Sequence, residues 1–74
     1  MTRETIELMA ALADKRKIDV LDRALRRRFG KHIYNEIIEN GGPEELAGEA
    51  RSYNVIATAF DYGLEPWEIA EMAQ

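Results

Sequence analysis

Few side chains in this sequence are spaced to do chemistry. His32 is the single histidine, and Glu36 stands four residues on. On a helix that spacing makes the two neighbours, as a weak metal site or an acid–base pair. Two ligands do not make a zinc site and no third is signposted, so an ordinary surface histidine and no metal are the expectation. Cysteine is absent, which excludes disulfides and thiolate zinc sites. Ser52, the single serine, lacks the flanking glycines of a nucleophile elbow. Gly41-Gly42-Pro43 is not followed by the Lys-Ser/Thr of a phosphate loop. Carboxylates such as Glu44-Glu45 and Glu65/Glu68 fall in expected first helical turns, where the dipole favours them. Glycosidase-like chemistry needs two carboxylates across a substrate cleft, and 74 residues leave little room for one. The expectation is a protein that is not an enzyme and carries no cofactor.

Binding chemistry is better represented. The net charge is -4, but it is unevenly spread. Residues 1–34 hold nine Lys/Arg and five Asp/Glu, whereas residues 35–74 hold Arg51 alone against nine carboxylates. The cations concentrate at Lys15-Arg16-Lys17 and at Arg23, Arg26, Arg27, Arg28 and Lys31. In the plainest account these are solvated charges lying near acidic helices. As functional sites, the basic cluster would meet phosphates or an acidic protein surface, or the acidic face would mimic a nucleic acid and occupy a basic groove of a partner. Arg23, Arg27 and Lys31 step by four and form one row if a helix runs through Gly30. The net negative charge opposes nucleic acid and favours a protein partner.

The elements that must position these residues are marked by Gly30, by Gly41-Gly42-Pro43 and by Gly63 with Pro66. A first helix is expected over 3–14, with Thr5, Leu8, Met9, Leu12 and Ala13 on one face. A second is expected over 18–29, with Ile18, Leu21, Leu25 and Phe29 as its apolar stripe. Asp19 and Asp22 then sit early and Arg26 to Arg28 late, as the dipole prefers. Gly30 is read as a C-terminal cap. A third helix over 31–39 carries Ile33, Tyr34, Ile37 and Ile38 and ends at Asn40-Gly41-Gly42. A fourth opens at Pro43. In it Leu46, Ala50, Tyr53, Ala57 and Phe60 form a heptad-type seam of large and small residues, widened by Val55, Ile56, Ala59 and Tyr62. A fifth opens at Glu65-Pro66 and carries Trp67, Ile69, Ala70 and Met72. The fold class expected is all-α, a compact bundle of four to five short helices in one domain spanning 1–74.

Tyr62-Gly63-Leu64-Glu65-Pro66-Trp67-Glu68-Ile69-Ala70 resembles the opening of a helix-turn-helix, a glycine-led turn followed by x-E-I-A. A DNA reader of that kind needs a recognition helix after Ile69 and Ala70, and the sequence reaches only Gln74, so a terminal capping helix is expected. Trp67 is expected to close the core, with exposure as a binding anchor the second choice. The tyrosines are expected to be half-buried. No apolar run approaches the roughly twenty residues of a membrane span, and no signal-peptide segment opens the chain, so a cytoplasmic location is expected.

The function expected is binding of another protein and action by occupancy, as a small adaptor or inhibitor. In size, acidity and lack of cysteine the chain is similar to phage-encoded inhibitors of host or defence complexes. Arg23, Arg26, Arg27, Arg28 and Lys31 are the basic contacts expected, with Tyr62 or Trp67 as exposed anchors. The alternative is nucleic-acid binding through the Arg-rich helix. A chain this short gains little from one core, so a second copy is a further candidate partner.

Overall fold

The computed structural model describes residues 2–39 and 50–74. Among them five helices form an all-α bundle: α1 (Arg3–Ala11), α2 (Lys15–Phe29), α3 (Ile33–Glu39), α4 (Ala50–Asp61) and α5 (Pro66–Met72). None is long and apolar enough to cross a membrane. The helix start expected at Pro43, the stop at Asn40-Gly41-Gly42 and the seam residue Leu46 lie outside the described residues, as do the side chains of Tyr34 and Ile38.

Local chemistry sets the ends. Thr2 caps α1, its hydroxyl accepting from the Thr5 amide at 3.2 Å. Asp14 caps α2, its carboxylate accepting from the Arg16 amide at 2.8 Å. This corrects two expected boundaries. α1 stops at Ala11 rather than Asp14, and α2 begins three residues before Ile18, because Asp14 satisfies amides that the next helix leaves open. Gly30 ends α2 with φ +92°, a conformation that side chains resist, so the break expected there is real. Lys31 and His32 form a turn, and α3 starts at Ile33 rather than Lys31. Gly63 (φ +86°) ends α4. Its amide reaches Phe60 O at 2.9 Å and the Leu64 amide reaches Ala59 O at 3.2 Å, the paired bonds of a Schellman motif. Pro66 then opens α5, where the Glu68 carboxylate accepts from the Glu65 amide at 3.0 Å.

α4 is the central element, packing against each of the other four helices. Its inward residues are Val55, Ile56 and Ala59, all fully buried. They meet Ile18, Leu21 and Leu25 from α2, Ile33 and Ile37 from α3, Ile69 from α5 and Leu8 from α1 in one core. Removing each fully buried Ile or Leu from water contributes about 2 kcal/mol. The expected seam is not the buried face. Ala50, Tyr53, Ala57 and Phe60 are only half-buried, and the side expected merely to widen the seam is the side that packs.

A polar contact sets that rotation. Asp22 is buried on α2 and holds Arg26 through both carboxylate oxygens, at 2.8 and 3.1 Å. Arg51, at the start of α4, reaches Asp22 at 3.1 Å and Asp19 at 2.7 Å. Arg51 shares a helix side with Val55, Thr58 and Tyr62, so tying it to α2 turns Tyr53, Ala57 and Phe60 away from α2. Asp19 and Asp22 therefore serve tertiary pairing, not the helix dipole, since α2 begins too early for either to lie in its first turn.

Replacing Asp22 by Ala should lower stability by about 2 kcal/mol, because two guanidinium groups lose a buried acceptor. Arg51→Ala should cost about 1 kcal/mol, since that side chain is half exposed. Urea denaturation of the two variants checks both values, and an Asp22→Ala protein as stable as wild type would overturn the account of α4's rotation.

Candidate partner-binding surfaces

The residues expected to bind a partner separate into three groups. Arg26 is engaged with Asp22. Arg28 lies over the Phe29 ring at 5.3 Å, donates to Met72 Sδ at 3.9 Å and stands 3.8 Å from Glu68. These two arginines hold α2 to itself and to α5, while each side chain keeps about half of its surface exposed.

Arg23, Arg27 and Lys31 are exposed and make no ion pair with a described residue. The row of three is not continuous, because the helix ends before Lys31. The row that does exist is Arg16, Arg23 and Arg27. At 100° per residue they lie within roughly 40° of one another, opposite Ile18, Leu21 and Leu25. Arg16 was missed as a site residue because its place on this face depends on α2 starting at Lys15 rather than Ile18.

The two aromatic anchors diverge. Tyr62 is half-buried, its ring 4.8 Å from Phe29 and 6.2 Å from His32. It packs against the end of α2 and the turn that follows it, half-buried as expected for the tyrosines, which leaves Trp67 as the exposed one of the two candidate anchors. Trp67 is 64% exposed, contrary to its expected place in the core. On α5 it points outward with Glu71, while Ile69 and Ala73 on the other side are buried. Two residues along a helix is a rotation of roughly 200°, so burying Ile69 turns Trp67 to solvent.

A third surface was not anticipated as a site. Tyr53, Ala57 and Phe60 line a cleft of about 710 Å³ with Thr5, Leu64 and Pro66, and the carboxyl-bearing residues Glu4, Asp61 and Glu65 also line it. No Lys or Arg is among its described lining residues. The signal for it was the seam itself, an i, i+4, i+7 pattern whose exposure only the rotation of α4 decides.

No group of three or more His, Cys, Asp or Glu side chains is placed to hold a metal among the described residues. The Glu36 carboxylate, as a hydrogen-bond acceptor for the Tyr62 hydroxyl and a nearby negative charge, together with some burial, pushes the phenol above its ordinary 10.0. The stabilisation from this contact is present below pH 10 and is lost as pH rises through the raised value. An alkaline ultraviolet titration should show one phenol ionising later than an ordinary tyrosine. Tyr62→Phe should remove that late step and Glu36→Gln should move it back toward the ordinary value; a late step that survives both would disprove the pairing.

No protein-family model, no curated protein and no solved structure matches the chain.

Proposed function

We propose that this protein is a small non-enzymatic regulator that binds another protein and acts by occupancy, as an adaptor or an inhibitor. The observation that carries this reading is Trp67. Its side chain stands in solvent on a helix that docks through Ile69 and Ala73 without it. Leaving so large an aromatic surface wet forgoes about 2 kcal/mol of burial. Tryptophan is also the type most enriched where binding energy concentrates. The arginine ridge on α2 supports the same reading, since fixed charge on an interface speeds encounter and sets orientation.

A second reading, nucleic-acid binding, rests on that ridge alone. Arg16, Arg23 and Arg27 present a row of cations with no carboxylate partner among the described residues, which is the footprint that phosphates need. The net charge of -4 works against it.

Affinity capture from a lysate of the producing cell, with and without nuclease, separates the two. A discrete protein should be retained after nuclease, and Trp67→Ala should weaken its binding by about tenfold or more with helical content unchanged. Capture indifferent to Trp67→Ala would overturn the protein-binding reading as stated here. If a labelled DNA or RNA binds instead, replacing Arg16, Arg23 and Arg27 by Ala should flatten its salt dependence by about two to three units of log–log slope. An unchanged slope would remove the second reading.

A further inference from the structure

The cleft beside α4 has a shape and a charge that select among protein partners. Tyr53, Ala57 and Phe60 recur at i, i+4 and i+7, so two rings flank a methyl group and leave a notch between them. Beside the notch lie Leu64, which belongs to the buried core, and the half-buried Pro66, while Phe60 packs against the core with one side and lines the cleft with the other. From Tyr53 to Phe60 the helix rises about 10 Å, which is also the separation of the i and i+7 anchors of a helix lying in a groove. Glu4 and Glu65 are exposed and line this apolar strip together with Asp61.

We propose that this cleft receives a basic amphipathic helix of a partner protein, seating one aliphatic side chain at Ala57 and placing Lys or Arg side chains against Glu4 and Glu65. The inference rests on the protein-binding reading and adds the chemistry of the partner. It uses a surface that does not include Trp67. Charge complementarity commits it to a cationic occupant: an acidic helix would set like charges together, which is costly where water is displaced. A second copy of this chain is a poorer fit. Its cationic ridge, Arg16, Arg23 and Arg27, has only the half-buried Val20 and Ala24 as apolar neighbours, because the apolar stripe of α2 is spent on its own core.

The test uses a fluorescein-labelled leucine/lysine amphipathic peptide of about 15 residues, long enough to form a helix on a surface, and its leucine/glutamate counterpart. Fluorescence anisotropy should show the lysine peptide binding at least about tenfold more tightly than the glutamate peptide. Ala57→Phe fills the notch without changing charge and should weaken binding about tenfold. Glu4→Lys should weaken it several-fold, whereas Glu71→Lys, the same change in net charge on the outer face of α5, should leave it within about twofold. Glu4 is exposed, so this pair decides the matter even if Ala57→Phe disturbs folding.

Equal effects of Glu4→Lys and Glu71→Lys would mean general attraction to an acidic protein and would overturn the proposal, as would failure of the lysine peptide to bind. Self-association abolished by Ala57→Phe in sedimentation would assign the cleft to a second copy and overturn it too. A lysate protein held through Trp67, with no peptide bound, would leave the protein-binding reading standing and remove this inference. Peptide bound at the cleft, with capture indifferent to Trp67→Ala, would support this inference and remove Trp67 as the anchor.

Discussion

A single buried carboxylate organises this molecule. Asp22 sits on the core side of α2, where an unpaired charge would be costly, and it is satisfied by Arg26 from one turn further along and by Arg51 from α4. The free energy of folding comes from Ile18, Leu21, Leu25, Val55, Ile56 and their neighbours leaving water. Those contacts are non-directional, and more than one side of α4 is apolar enough to make them. The carboxylate supplies the direction that hydrophobic burial lacks. It decides that the β-branched side of α4 packs and that the side carrying Tyr53 and Phe60 does not.

The distribution of surface chemistry follows from that choice. With Arg26 and Arg51 drawn to Asp22 and Asp19, and Arg28 drawn to Phe29 and Glu68, the cations that α2 still presents are Lys15 and Lys17 in its first turn and the ridge of Arg16, Arg23 and Arg27. Glu4, Asp61 and Glu65 lie next to the half-buried aromatic strip of α4. Among the described residues, the arginine ridge and the carboxylate-lined cleft are thus charged surfaces of different character. One is almost purely ionic. The other combines carboxylates with apolar area, and it is the second kind that gives both affinity and selectivity in protein recognition.

What could be read from the sequence was what depends on neighbours along the chain. The stripe of Ile18, Leu21 and Leu25, the stops at Gly30 and Gly63 and the opening of α5 at Pro66 are local signals, and each is where expected. The start of α2 was obscured because Lys15, Arg16 and Lys17 are unfavourable in a first turn, while the cap at Asp14 outweighs them. The periodicity of α4 showed which residues share a face but not which face is taken, since a contact twenty-nine residues away in sequence, Asp22 to Arg51, makes that decision. Trp67 was misplaced by the general tendency of large apolar residues to lie inside. The spacing from Trp67 to Ile69 already held the contrary signal.

The exposure of the only tryptophan has a spectroscopic consequence. In most small proteins the indole is sequestered on folding, so its emission reports whether the chain is native. Here the ring is already in water when the helices are packed, so loss of the core should shift its emission little, and circular dichroism is the better gauge of unfolding. The same ring then becomes an intrinsic indicator of what arrives at the outer side of α5: its emission starts at the red, water-exposed position, so a blue shift means desolvation by another molecule rather than a change in this one.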